Sequence, residues 1–557
     1  MPSTVFAHAR STAHRGADDL LMAGLGLAGL RTTRPPAFAD AAHPTPAELR
    51  RRAIWANWRG IADLSVSDAS RDVAPVAGLE YHALATVPGA SQPHRVMVQV
   101  PDTFDPARPC IVVSAASGSR GIYGAIAVAS AWGLPRGCVV ACTDKGAGTD
   151  YVDLEARSGI GIDGRVVKDP ANAAFAVDAP GAGGIAIKHA HSGDNPEADW
   201  GRHVRQAAEF ALKVLADAFP DAGPFDLRTT RIIAVGLSNG GGAVLRAAEL
   251  EGDWLDAVVA GAPSVDTDGA GARSLYDYAT EAALLLPCAL HVVDDLPLAL
   301  PPAQAVARGK SLRATGCVEG GDLHAQARSA RARLEAGGWT ERALRAAAIP
   351  LAFDLWRAIA VTYASAYGRY AVDAHPCGYR FSALREDGTP RPARPEARAS
   401  WWADATGLPP GAGVGIVDPL ATGPDPAVPG LLALRGLVDG DGDGVDGSRV
   451  RAGIAELRCR PPAVGVPVVI VHGADDGLIP MRFSSAPYVA AARAAGRDVR
   501  FRQVAGVQHF DSARALPGVA ARYAALLPHV FAALDQVWAH LDGQAPLLAD
   551  AVIEGVP

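Results

Sequence analysis

The sequence predicts an α/β fold: a mostly parallel sheet built from strand–helix–strand units and interrupted by a large, mainly helical insertion. Three observations carry that expectation. Short apolar runs rich in β-branched residues (Cys110 to Ser114, Cys138 to Cys142, Ile232 to Val235, Ala257 to Ala260) alternate with helical patterns in the first half of the chain. Residues 265–455 then change texture, to long helical patterns joined by Pro- and Gly-rich segments. Apolar strand runs resume only at Val466 to Val471 and Val499 to Val504. Right-handed crossovers between strands of this kind build a parallel sheet.

Taken in order, residues 1–89 read as an irregular leader draped on the surface (1–45) followed by a helix packed on the core. That helix spans Pro46 to Trp58, with Thr45 as its N-cap. Residues 90–264 form the first part of the core. Arg95 to Val100 alternates as a strand, and a helix over Tyr123 to Trp132 joins the strands at Cys110 and Cys138. A long amphipathic helix over Ala198 to Phe219 places Val204, Ala208, Ala211 and Leu215 on one stripe and leads to the strand at Ile232. Residues 265–455 are the inserted lid domain, with helical patterns at Leu323 to Ala336 and Glu341 to Tyr367. Residues 456–557 complete the core and end in a helix from about Ala524 to Leu541, whose start Pro528 sets a few residues later.

Bulk properties narrow the function. At 557 residues the chain exceeds one simple core. A net charge of −7 argues against nucleic acid as a partner. The seven cysteines are an odd number with no Cys-x-x-Cys pair, so neither a zinc site nor a disulfide framework is expected. No apolar stretch approaches the ~20 residues of a membrane span, and no membrane partner is expected. Leu20 to Leu30 resembles a signal-peptide core, but Asp18 and Asp19 stand where a positive region belongs. The expected location is cytoplasmic, with secretion or the periplasm as the alternative. Nothing in the sequence speaks to oligomeric state.

The chemistry concentrates in three stretches. Gly236-Leu237-Ser238-Asn239-Gly240 follows an apolar strand and precedes a helix, the order a Gly-x-Ser-x-Gly nucleophile elbow requires. Ser238 is the candidate nucleophile; a glycine-rich turn with an idle serine is the alternative. Val468 to Val471 runs into His472-Gly473-Ala474-Asp475-Asp476, which resembles the acid-bearing turn of α/β-hydrolases. On that spacing Asp476 is the acid, with Asp475 as fallback and His472 as a structural residue of the turn. His509 follows the last strand, and the order Ser238, Asp476, His509 is the one this fold uses. A buried acid there would hold the imidazole tautomer and stabilise its protonated form. The oxyanion donors expected are Asn239 N–H and a backbone N–H of the Ala115 to Gly121 loop, with Ser117 and Gly118 as candidates. The prediction is therefore an α/β-hydrolase core with a large, mainly helical inserted lid domain, acting without metal or organic cofactor.

Two stretches suggest metals and are read otherwise. Lys188-His189-Ala190-His191 lacks an acidic partner at metal-ligand spacing and is assigned to a loop or pocket wall. The Asp439 to Gly447 run resembles a calcium loop but has Val450 where a bidentate Glu belongs, so it is read as a lid loop. Trp401 and Trp402 either line the pocket or pack the lid.

Longer strings carry a family resemblance. Met97 to Val112, Ser117 to Ile126, Thr143 to Gly146, Lys188 to Ser192 and Ser238 to Gly242 resemble the D-(−)-3-hydroxybutyrate oligomer hydrolases, and the likeness runs from Asp18 to Asp511. It implies a serine esterase that cuts short 3-hydroxybutyrate oligomers, small-molecule esters, to monomers in polyhydroxybutyrate degradation, with Ser238 matching the family's serine. The Asp/Gly run at 439–447 departs from the family pattern, and exported family members leave the location open. Two rivals remain: another esterase of this fold, of the feruloyl or tannin type, and a non-catalytic binding protein on the same scaffold.

Overall fold

The computed structural model describes residues 5–65, 73–404, 406–439 and 444–555. Ten strands form its main sheet: β1 (Phe6–His14), β2 (Gly78–Ala85), β3 (His94–Pro101), β4 (Cys110–Ala115), β5 (Val139–Thr143), β6 (Arg231–Leu237), β7 (Ala257–Gly261), β8 (Val468–Gly473), β9 (Val499–Ala505) and β10 (Ala551–Glu554). Their order is β1-β2-β3-β5-β4-β6-β7-β8-β9-β10. Every pairing from β5 to β10 is parallel, while β1, β2 and β3 pair antiparallel with their neighbours. This is the α/β-hydrolase arrangement, with strand β6, which leads into Ser238, near the centre.

Period-2 alternation sends successive side chains to opposite faces. Ile111 and Val113 of β4, Ile232 and Ala234 of β6 and Ile470 of β8 enter the core beneath helices Trp200–Ala218, Asn239–Ala248 and Ser485–Ala494. Val112, Ile233, Val235 and Val471 enter the other core, shared with helices Pro46–Ile61 and Leu527–Leu541 and with the insertion. The stripe Val204, Ala208, Ala211 and Leu215 is fully buried against the sheet. The central strands are buried on both faces, which is why they read as continuous apolar runs.

The N-terminal segment departs from its expected form. Phe6–His14 is an edge strand, not a surface leader, and Leu20, Leu21 and Met22 are buried in the core. Asp19 fixes that turn: its carboxylate accepts the N–H groups of Leu21, Met22 and Gly24 at 2.7–2.9 Å. A polar edge strand buries little, so its alternation gave no apolar signal. The β2 strand was also unforeseen, and β10 adds a strand beyond the one expected to be last. Thr45 caps its helix in a full capping box with Glu48.

The insertion is mainly helical and differs in detail. The single helix expected over 341–367 is three, Glu341–Ala346, Ala348–Ala352 and Leu355–Gly368. A left-handed Asp354 (φ 54°), the N-cap of Leu355–Gly368, separates the last two. The expected helix at 123–132 is largely a π-turn over Ile126–Ser130. Two small sheets, one over 151–187 and one over 380–417, were not anticipated. The insertion leaves the core at Asp266 and rejoins it at Arg458, which pair as neighbours; Cys459 N–H donates to Asp266 O at 2.8 Å. Among the described residues, no helix is long and apolar enough to cross a membrane.

Candidate active site

Ser238 directly follows β6, as the N-cap of helix Asn239–Ala248, with backbone angles φ 59°, ψ −123°. Such a conformation costs about 1–3 kcal/mol and must be held by its surroundings. Ser238 N–H donates to Gly261 O of β7 at 2.8 Å, and Ser238 O accepts from Ser264 and Gly242 N–H. The elbow glycines are steric requirements: a Cβ at Gly236 would lie 2.1 Å from Gly240 O, one at Gly240 2.4 Å from Ala115 O, and one at Gly242 2.0 Å from Ser264 O. Only backbone fits where helix Asn239–Ala248 turns back over the sheet.

Two loops bring up the partners. Ser238 Oγ stands 2.9 Å from His509 Nε2, and His509 Nδ1 stands 2.7 Å from Asp476 Oδ2. All three side chains are buried. Asp476 accepts the N–H groups of Leu478 and Ile479 on its other oxygen, at 2.9 and 2.7 Å. Burial alone would raise this carboxyl, but the charge of His509 and hydrogen bonds from His472 and His509 hold it well below the usual carboxylate range. His472 supports the acid: Nε2 lies 2.9 Å from Ile479 O and 3.2 Å from Asp476 Oδ2, while Nδ1 meets the Ser485 hydroxyl. The carbonyl fixes the proton on Nε2, so His472 donates to Asp476. Asp475 points elsewhere, 3.7 Å from Arg342.

The His509 loop is braced by residues that sequence reasoning did not single out. Gln508 bonds back to both the N–H and O of Phe510. Asp511 accepts the N–H groups of Leu526 and Leu527 at 2.6 and 2.8 Å, tying the loop to the start of the final helix. Arg514 donates to Asp63 at 2.7 Å, docking it just past the end of the Pro46–Ile61 helix.

Ser238, Asn239 and His509 open into a cavity of about 300 Å³ that Ser117 and Gly118 also line. Asn239 N–H lies in the first turn of its helix, where amides lack an intrahelical acceptor. Gly118 has φ 52°, a left-handed turn that shapes the loop facing the elbow. Much of the remaining wall is apolar, with Ile349, Phe353, Leu355 and Ile359 from the insertion and Leu478 and Phe510 from the core, while Arg59, Arg120 and Tyr363 add polar groups. Trp401 and Trp402 do not line it; they pack on Tyr151 and Tyr123.

His189 does have an acidic partner, unlike the expectation from local spacing. Glu197 stands 2.9 Å from its Nε2 and also binds the Lys145 ammonium, which donates in turn to Tyr363 Oη at 2.9 Å. Burial would raise the Glu197 carboxyl, yet His189 and Lys145 hold it down to about 2. Since Tyr363 lines the cavity, this buried network backs the pocket wall. Of the Asp439–Gly447 run, residues 440–443 lie outside the described residues; Asp439 pairs with Arg435 and Asp446 accepts from Tyr370.

The family model for 3HB-oligomer hydrolases matches residues 1–557. The chain belongs to this family. The D-(−)-3-hydroxybutyrate oligomer hydrolase of Paracidovorax citrulli is 36% identical, over 98% of this chain and 88% of the relative. That of Burkholderia thailandensis is 36% identical over 100% and 89%. Among solved structures, the rice cell wall degrading esterase LipA from Xanthomonas oryzae aligns at 12% identity over 84% of this chain and 92% of that one, with a TM-score of 0.38. Family membership covers the sheet, the insertion and the loops that bear Ser238, Asp476 and His509 alike.

Proposed function

We propose that this chain hydrolyses short (R)-3-hydroxybutyrate oligomers to monomers in polyhydroxybutyrate degradation, through an acyl-enzyme on Ser238. The observation that carries the reading is the unbroken row Ser238–His509–Asp476 at the base of a largely apolar cavity. Membership of the family and the activity for which its relatives are named supply the substrate class.

In this reading His509 Nε2 takes the Ser238 proton as Oγ attacks an ester carbonyl. Asp476 keeps the other imidazole proton on Nδ1 and stabilises the imidazolium. The tetrahedral oxyanion sits on Asn239 N–H and a donor from the Ser117–Gly118 turn, each worth roughly 3–4 kcal/mol by comparison with other oxyanion holes. His509 then protonates the departing alkoxide as the C–O bond breaks. Water repeats the attack, freeing the acid and restoring Ser238. The insertion acts as a lid that supplies methyl-binding walls.

Monomer release from purified (R)-3-hydroxybutyrate dimer and trimer, beside Ser238→Ala, tests the reading. Release by the wild type that vanishes in the variant is expected. Release that survives in the variant removes Ser238 from its role. A wild type that cleaves a p-nitrophenyl ester but not the oligomers discards the substrate.

A further inference from the structure

An oligomer of a hydroxy acid carries one feature that a plain ester lacks, a free carboxylate at one end. The cavity wall holds a matching group. Arg120 is 7% exposed and lines the same cavity as Ser238, on the same loop as Ser117 and Gly118. Its Nη2 donates to Gly60 O at 2.9 Å and Thr406 O at 3.3 Å, and Nη1 has no hydrogen-bond partner. Among the described residues no carboxylate pairs with it, and no Asp or Glu lines the cavity; the other cation there, Arg59, adds the same sign.

The fold makes room for this side chain deliberately. A Cβ at Gly60 would fall 2.0 Å from Nη2, and one at Gly407 2.9 Å from it. Two glycines from distant elements therefore flank the guanidinium. Burial lowers its pKa to about 10, so it stays charged at neutral pH. A buried charge with only neutral acceptors is costly unless something else neutralises it, and a guanidinium fork suits a carboxylate best.

We propose that Arg120 binds the free terminal carboxylate of the oligomer and thereby selects its last ester for cleavage. The inference rests on the esterase reading above. Chain polarity then fixes the direction, because the carboxylate always lies on the leaving-alcohol side of the bond being cut. Arg120 follows Gly118 by two residues on the loop that lines the cavity beside Ser238. Arg120 is thus a specificity determinant that holds the leaving monomer.

The test compares the free-acid dimer with its methyl ester, in the wild type and in Arg120→Gln. The wild type is expected to prefer the free acid by roughly 10–100-fold in kcat/KM, the loss typical of an unpaired charged hydrogen bond, with the difference mainly in KM. Arg120→Gln should erase the preference, and Arg120→Lys should restore part of it. Equal cleavage of both dimers by the wild type overturns this inference while leaving the esterase reading intact. Cleavage of neither overturns both. A trimer labelled in its hydroxyl-terminal unit gives a second readout on the wild type alone, independent of variant folding: the first monomer released should be unlabelled. Label in that monomer overturns the proposal.

Discussion

Ser238 lies 271 residues before His509, and Asp476 33 before it, yet each was legible because its neighbours along the chain are diagnostic. Glycines surround Ser238 since a Cβ there would strike backbone, and a strand leads into each turn. Arg120 was visible only as part of a loop, because what defines it is the company of Gly60 and Thr406, residues far away in sequence. The same holds for Glu197, whose partner Lys145 cannot be inferred from spacing. At this scale Asp476→Asn should lower kcat by about 10⁴-fold, as tautomer control is lost. Asp475→Asn should stay near wild type, since its carboxylate faces Arg342. Steady-state kinetics on the dimer separates the two.

Elements carry a second set of consequences. The helix after Ser238 packs so closely on the Ser264 backbone that Gly242→Ala should destabilise the fold by about 1–3 kcal/mol and depress kcat, since the added Cβ starts 2.0 Å from Ser264 O. Denaturant titration beside kinetics would show both. The loop holding Lys145, the approach to helix Trp200–Ala218 and the insertion helix Leu355–Gly368 are joined through Glu197 and Tyr363. Glu197→Gln leaves the buried Lys145 uncompensated and should cost roughly 3–5 kcal/mol. The pH dependence follows in sign. Because the folded Glu197 carboxyl lies at about 2, below its ordinary 4.5, its contribution is present above the unfolded value and is lost as pH falls toward 2. Asp476 acts in the same direction. Thermal midpoints should therefore drop between pH 5 and 3, more steeply in the wild type than in Glu197→Gln.

Over the whole molecule, the doubly covered strands were readable as apolar runs, whereas the margins of the sheet were not. β1 exposes most of its side chains and β10 is four residues long, so neither carries an apolar signature. Break points inside the insertion were equally hidden, since Asp354 adopts a left-handed backbone that its side chain does not announce. Tight coverage of the core has a chemical readout. Cys110, Cys138, Cys142, Cys288 and Cys459 are buried, while Cys317 and Cys377 are half-buried. Burial also pushes the Cys377 thiol up to about 12. A disulfide reagent should therefore modify Cys317 first and Cys377 slowly, and reach the other five only in denaturant; fast labelling of all seven would contradict the packing described.

The paired residues at which the insertion leaves and rejoins the core have an evolutionary meaning. A segment whose two ends are clasped as Asp266 and Arg458 are forms a closed excursion. Length changes inside it cost only slowly growing closure entropy and do not pull on β7 or β8. Ile349, Phe353, Leu355 and Ile359, which line the cavity, lie inside the excursion, whereas Ser238, Asp476 and His509 lie outside it. The Arg120 loop itself lies outside that excursion. The excursion nevertheless reaches back to the Arg120 guanidinium through Thr406 O and Gly407, so an exchange of the 267–457 segment between relatives that alters those two positions would change the surroundings of Arg120 as well.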